Sequence, residues 1–319
     1  MKKYLTEYLM IFILVICLPS QSFALIVFGE NNNTAEVAYD ASTSSAEKSV
    51  VVMGSTSAVY LGNGWFVTAK HTGVSLESNV SQNGKSAQVS YIDNSLYSNY
   101  GVDLSLFFVE NYSNLTSLSA VNLSASVYEN FQPLEYDISG GGLTFEYGSN
   151  FLMVGAGRGR SSSSQLTDTL VNCDGVSGII RSGNASYFGS QTDGGFDYIL
   201  TMAEKITGSA QAQTGDSGGG LFFEFEDEYY LTGILVGVSL SAYYAKFGSY
   251  SDAMIDEFGD VDITPLNANS MTYSLDLQNY IDDIKNIISQ NPIIPEPSTY
   301  AFLLGLSVSF FVFIRKKSF

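Results

Sequence analysis

Apolar residues in this chain come in short runs separated by small and polar ones. Trp65-Phe66-Val67-Thr68 follows a glycine-containing turn and ends as His71 arrives; such aromatic and β-branched runs predict strands. Leu104-Ser105-Leu106-Phe107-Phe108-Val109 alternates at first and then turns continuously apolar, as a half-buried strand does. Only near the end does the period change. Leu277, Ile281, Ile284 and Ile288 recur at spacings of four, three and four, which lays them along one face of a helix. Many short strands rich in Val, Ile, Tyr and Phe, broken by Gly, Ser and Asn, predict an all-β protein closed by one helix.

The two ends carry longer apolar stretches of another kind. Residues 1–24 have lysines at the front, an apolar segment from Leu9 to Leu18 and Ser22-Phe23-Ala24 as a small-x-small cleavage site, the pattern of a secretory signal peptide. At the other end, Ala301 to Ile314 is apolar and Arg315-Lys316-Lys317 follows. With Ser298 to Tyr300 it approaches the roughly 20 residues a membrane span needs. The basic residues after it would stay cytoplasmic, leaving the rest of the chain outside the membrane. Together with Pro295-Glu296-Pro297, this end, 291–319, resembles the PEP-CTERM sorting signal of Gram-negative bacteria. That resemblance implies a transmembrane stretch at about 298–314. It also implies an exosortase-type enzyme that cuts near Pro-Glu-Pro, so that an inner-membrane-anchored, periplasm-facing protein is released to the cell surface or beyond.

The chain has 14 Lys and Arg against 32 Asp and Glu, a net charge of −18. The basic residues at both ends would leave with them, so the mature domain is more acidic still. Nucleic acid and anionic membrane surfaces are therefore excluded as natural partners. Asp252, Asp256, Glu257, Asp260 and Asp262 cluster, but their spacing matches no calcium loop. With one histidine in the chain, and one cysteine, Cys173, left once Cys17 departs with the leader, a zinc site lacks ligands. Neither a metal nor another cofactor is expected, and the mature chain can form no internal disulfide.

The chemistry concentrates in "QTGDSGGGLFF" at 213–223, where Ser217 stands between an aspartate and three glycines. A serine hydroxyl is a useful nucleophile only if a base takes its proton and an acid holds that base. His71 is the sole histidine, so it is the base or Ser217 has no imidazole partner. A histidine at a strand end is on its own more often structural; the serine motif reverses that preference. Asp103, entering the 104–109 run, is the candidate acid, with Asp93 in "YIDNSLYSNY" as the competing carboxylate. Gly215, without a Cβ, can turn its N–H inward beside that of Ser217 to bind an oxyanion. Asp216 reads on its own as a turn residue.

"GWFVTAKH", "VDLSLFFV" and "TGDSGGGLFF", in that order, resemble the three signature segments of the chymotrypsin/trypsin-like serine endopeptidases. The order His, Asp, Ser is that of this family. The resemblance implies two six-stranded antiparallel β-barrels in residues 25–290, at about 26–130 and 131–275, with the terminal helix at about 276–289. His71 and Asp103 would come from the first barrel and Ser217 from the second, across a cleft that receives a protein or peptide substrate. It implies that Asp216 pairs with a newly made N-terminal amine; active members begin with a segment like Ile-Val-x-Gly, matched here from Ile26, one residue after the Leu25 that cleavage behind Ala24 would leave, so either one further residue is trimmed or the protein matures without the inserted amine. Gln211, six before the nucleophile, would sit at the base of the specificity pocket, where a neutral side chain gives no preference for basic residues. Thr72 stands where many relatives carry a cysteine. A non-catalytic relative, a binding or matrix protein that keeps the fold, is the rival reading. Since a native disulfide typically contributes about 2–5 kcal/mol, the exported protein should show the same Tm with and without dithiothreitol; a fall on reduction would mean a bridge through Cys173.

Overall fold

The computed structural model describes residues 26–27, 40, 42–133, 135–137, 144–146, 149–157, 178–202, 210–212, 215–238 and 271–290. The chain opens with β1 (Ile26–Val27), then a short helix α1 (Ser45–Ser49), β2 (Val50–Met53), β3 (Thr56–Gly62) and β4 (Trp65–Ala69). Next come β5 (Asn79–Gln82), β6 (Lys85–Gln88), β7 (Tyr91–Asp93), helix α2 (Ser95–Tyr100) and β8 (Leu104–Phe108). A seven-stranded antiparallel sheet runs β6-β5-β2-β3-β4-β8-β7. Its two edges, β6 and β7, are separated by only Val89 and Ser90. The Val89 N–H donates to Ser78 O at 3.0 Å and the Ser90 N–H to Phe108 O at 2.8 Å. One bent strand, Lys85–Asp93, thus passes from one edge of the sheet to the other and curls it on itself. The six strands expected of the first barrel appear as seven segments because the fifth is broken at this bend.

The second half contains the hairpin β9 (Glu135–Asp137) and β10 (Thr144–Glu146), then β11 (Asn150–Gly155), β12 (Arg181–Asp193), β13 (Phe196–Met202), β14 (Ala210–Gln211), β15 (Gly220–Phe225), β16 (Glu228–Val238) and β17 (Met271–Asp276). Six of these close an antiparallel barrel in the order β11-β12-β13-β17-β16-β15. β1 pairs with β14, with Ile26 opposite Gln211 and Val27 opposite Ala210. Ile26 therefore attaches to the second half, not to the first barrel in which the sequence reading counted it. Turns are tight where sequence demands it: Asn63 and Gly64 both take positive φ, 51° and 84°, the two-residue turn that matches strand twist between β3 and β4.

The buried apolar side chains form three cores. Val51, Tyr60, Phe66, Val80 and Phe107 fill the first barrel; Phe151, Met153, Ile199, Leu221 and Leu235 fill the second. Between them lies a third cluster that includes Val50, Trp65, Val67, Leu104 and Leu106 from one half and Val154, Phe222, Ile234 and Ile284 from the other. Alternate residues of β4 and β8 point to different cores, so both strands are buried on both faces throughout. This corrects the half-buried reading of the 104–109 run and explains its loss of alternation. Each fully buried Leu or Phe here stabilises by roughly 1.5–3 kcal/mol.

The terminal helix α3 (Ile281–Gln290) follows a short turn of 3₁₀ helix at Gln278–Tyr280. Leu277, Ile281 and Ile284 are buried and Ile288 packs beside them, as their spacing predicts. No helix among the described residues is long and apolar enough to cross a membrane; residues 1–24 and 291–319, where the leader and the sorting segment are expected, lie outside them. Asp276 caps this turn, its Oδ1 accepting the Gln278 N–H at 2.8 Å. Burial, with the charge of Asp197 adding to it, pushes the Asp276 carboxyl up to about 6 against the pull of that N–H. A folded pKa above the unfolded one gives stability that is complete below about pH 4 and is lost as pH rises through about 6. Asp276→Asn keeps the acceptor and removes the charge. Thermal unfolding should find this variant about 3 kcal/mol more stable than wild type at pH 8 and equal to it at pH 3; an equal difference at both would refute the assignment.

Candidate active site

His71 lies on a single 3₁₀ turn, Lys70–Thr72, that leaves the end of β4. Asp103 lies just before β8, the neighbour of β4, with Ala69 opposite Leu104. Strand pairing alone therefore brings the two together. The contact is threefold: the Lys70 N–H donates to Asp103 O at 3.1 Å, the His71 N–H to Asp103 Oδ1 at 2.8 Å, and His71 Nδ1 lies 2.6 Å from Asp103 Oδ2. A carboxylate held by a backbone N–H and facing Nδ1 selects the tautomer that leaves Nε2 free to accept a proton. Asp93, the competitor, is spent elsewhere, accepting at 2.8 Å from the Ser95 N–H at the start of α2. Both side chains reach solvent, Asp103 at 36% exposure and His71 at 46%.

Ser217 arrives from the second half on a loop that packs against β3 and β4. The Ser57 N–H of β3 donates to Ser217 O at 3.0 Å. Gly218, at φ 85°, presses its Cα against Ser57 and the Thr68 side chain, where a Cβ would collide. Thr68 Oγ1 donates to Ser57 O at 2.8 Å and lies 3.3 Å from Thr72 Oγ1, whose hydroxyl donates to Ala69 O at 2.7 Å. A run of polar contacts thus joins the Ser217 backbone to the turn that carries His71. A Ser217 Oγ to His71 Nε2 hydrogen bond is not formed among the described residues; such bonds often tighten only with substrate bound. Tyr198 of β13 lies near enough to feel the Asp103 charge. Burial, then the charges of Asp193 and Asp103, raise its phenol above the ordinary value.

On either side of Ser217 the backbone takes positive φ, at Gly215 and at Gly218. Gly215 has φ 101°, open to glycine alone, and is buried. Asp216 is fully buried, and its Oδ1 accepts the Gly157 N–H at 3.2 Å, so its carboxylate points into the protein and not into a surface turn. Gln211 lies on β14 beside Ile26. Sequence reasoning missed Ser57, Thr68 and Thr72 as supports of the loop; the threonines, four apart across the end of a strand, were the available signal. Nothing local marks Arg181, which is 1% exposed at the start of β12. Among the described residues no group of three or more His, Cys, Asp or Glu could hold a metal; the acidic cluster at 252–262 and Cys173 lie outside them.

The hydrogen bond with Asp103, and its charge, hold the His71 imidazole above its ordinary pKa, while burial pulls the other way. With a single histidine in the chain, its ring Hε1 resonance in proton NMR is assigned without ambiguity. Its titration midpoint should lie above about 6.5 in wild type and below it in Asp103→Asn, where only burial remains; an unchanged midpoint would break the assigned pair. The base form, and any activity that needs it, is present above that midpoint and lost as pH falls through it.

A family model described as Trypsin matches residues 26–253. Comparison with curated proteins returns no match.

Proposed function

Because this chain belongs to the trypsin family of serine peptidases, we propose that it is an exported endopeptidase that cleaves peptide bonds through an acyl-enzyme on Ser217. The observation that carries this reading is the 2.6 Å contact of the only histidine with Asp103, beside the loop that bears Ser217. Ser217 Oγ attacks the scissile carbonyl as its proton passes to His71 Nε2, and Asp103 stabilises the imidazolium that forms. The N–H groups of Gly215 and Ser217 receive the developing oxyanion, each such donor being worth about 10²–10³ in rate. His71 then returns its proton to the leaving amine. Water repeats the sequence to release the acid.

Asp216 occupies the position of the family carboxylate that pairs with a new N-terminal amine, and the pairing of Ile26 with Gln211 supports an N-terminus close to it. Gln211, at the base of the specificity pocket, favours neutral or polar side chains over Arg and Lys. The leader at 1–24 directs export from a Gram-negative cell. The 291–319 segment holds the protein at the inner membrane, facing the periplasm, until an exosortase-type enzyme releases it towards the surface.

A fluorophosphonate probe should label the purified protein, and neither Ser217→Ala nor His71→Ala; peptide hydrolysis should fall by roughly 10⁶-fold in either variant. Wild-type protein that stays unlabelled after N-terminal processing would instead support a non-catalytic binding role. N-terminal sequencing of the active protein should begin at Ile26; a start at Leu25 would remove the Ile26–Asp216 pairing.

A further inference from the structure

Asp216 is a fully buried carboxylate in the loop that bears Ser217. A buried charge is costly unless another charge and hydrogen bonds compensate it. The largest completely enclosed side chain in the described structure is a cation, Arg181, at 1% exposure. Its strand position aims it at this carboxylate. Arg181 stands directly opposite Gly155 in the β11–β12 ladder, and cross-strand partners project to the same face. The face of Gly155 that lacks a Cβ is filled by the Asp216 carboxyl group, so Arg181 leaves the sheet on the side where Asp216 lies. One residue then joins them. Arg181 Nη1 donates to Gly157 O at 3.3 Å, and the Gly157 N–H donates to Asp216 Oδ1 at 3.2 Å. A second donation from Nη1, to Ile179 O at 3.3 Å, holds the guanidinium in place. Ala156, between Gly155 and Gly157, is tied to β3 by its N–H to Ser57 Oγ at 2.9 Å, and Ser57 also holds the Ser217 carbonyl.

We propose that Arg181 is a positioning residue, a permanent internal cation that holds Asp216, and through it the Gly215–Ser217 backbone, in the oxyanion-binding conformation whether or not an N-terminal amine is available. This rests on the serine-peptidase reading above. Its distinguishing property is chemical: an α-amine loses its charge at a pKa near 8, whereas a guanidinium never does in a protein. A loop held by the amine collapses at alkaline pH or when the amine is blocked. One held by Arg181 does neither.

The test uses the purified full chain as processed by the cell, with its α-amino group acetylated at near-neutral pH. The acetylated protein should still react with fluorophosphonate and keep kcat on a peptide ester through pH 10. Arg181→Met should lose about 10²–10³-fold in kcat with little change in KM, while the His71 ring titration stays as in wild type. Arg181→Lys should recover part of kcat and acquire an alkaline limb as the lysine titrates. Hydrogen exchange of the 215–219 amides, which needs no activity, should be faster in Arg181→Met than in wild type or Arg181→Lys. Loss of reactivity on acetylation, or unchanged kcat and unchanged exchange in folded Arg181→Met, would overturn the proposal. If Arg181→Met does not fold, acetylated wild type and Arg181→Lys still decide. Wild type that never labels overturns the peptidase reading instead, and the exchange rates then judge Arg181 alone.

Discussion

The structure depends on β4 and β8 being buried on both faces. Each must supply side chains to the first barrel's interior and, on alternate positions, to the layer between the halves. Strands packed this way cannot slip register, because a shift by one residue would exchange two full sets of core side chains. His71 leaves the end of one strand and Asp103 enters the other, so the geometry of the pair is inherited from packing that has nothing to do with chemistry. A pair set on rigid strand ends keeps the short contact that orients the imidazole.

The second half reaches the same place by a different means. The Ser217 loop is joined to β3 by the Ser57 N–H and to β4 by the close approach of Gly218 to Thr68. Both contacts lie beside the apolar layer, where a neutral backbone hydrogen bond is shielded from competing water. The Thr68 to Thr72 contact continues this support to the His71 turn. A hydroxyl chain there serves a protein with two cysteines in its whole sequence.

An acidic chain must also manage the carboxylates it buries, and two cases differ instructively. Asp276 has a backbone N–H but also Asp197 nearby, and burial raises it to about 6. Asp216 lies deeper, yet it faces a backbone N–H and the side of the sheet from which Arg181 emerges. The first is a site of mild acid stabilisation in the packing of the terminal helix. The second is part of the frame of the proposed oxyanion loop.

The sequence by itself determined the strand-rich class, the terminal helix face of Leu277, Ile281 and Ile284, the tight turn at Asn63-Gly64 and the candidates His71, Asp103 and Ser217. These are local properties: side-chain period, turn chemistry and the rarity of one residue type can be read without knowing what lies opposite. Only the tertiary structure put Asp103 and not Asp93 against His71, since that contact depends on β8 pairing with β4 while Asp93 is taken by Ser95. It alone attached Ile26 to Gln211, bent the fifth strand at Val89-Ser90, and set Arg181 on the side of the sheet where Asp216 lies. Each of those contacts joins residues distant in sequence. Their energy comes from burial and from partners across strands, which no local pattern records.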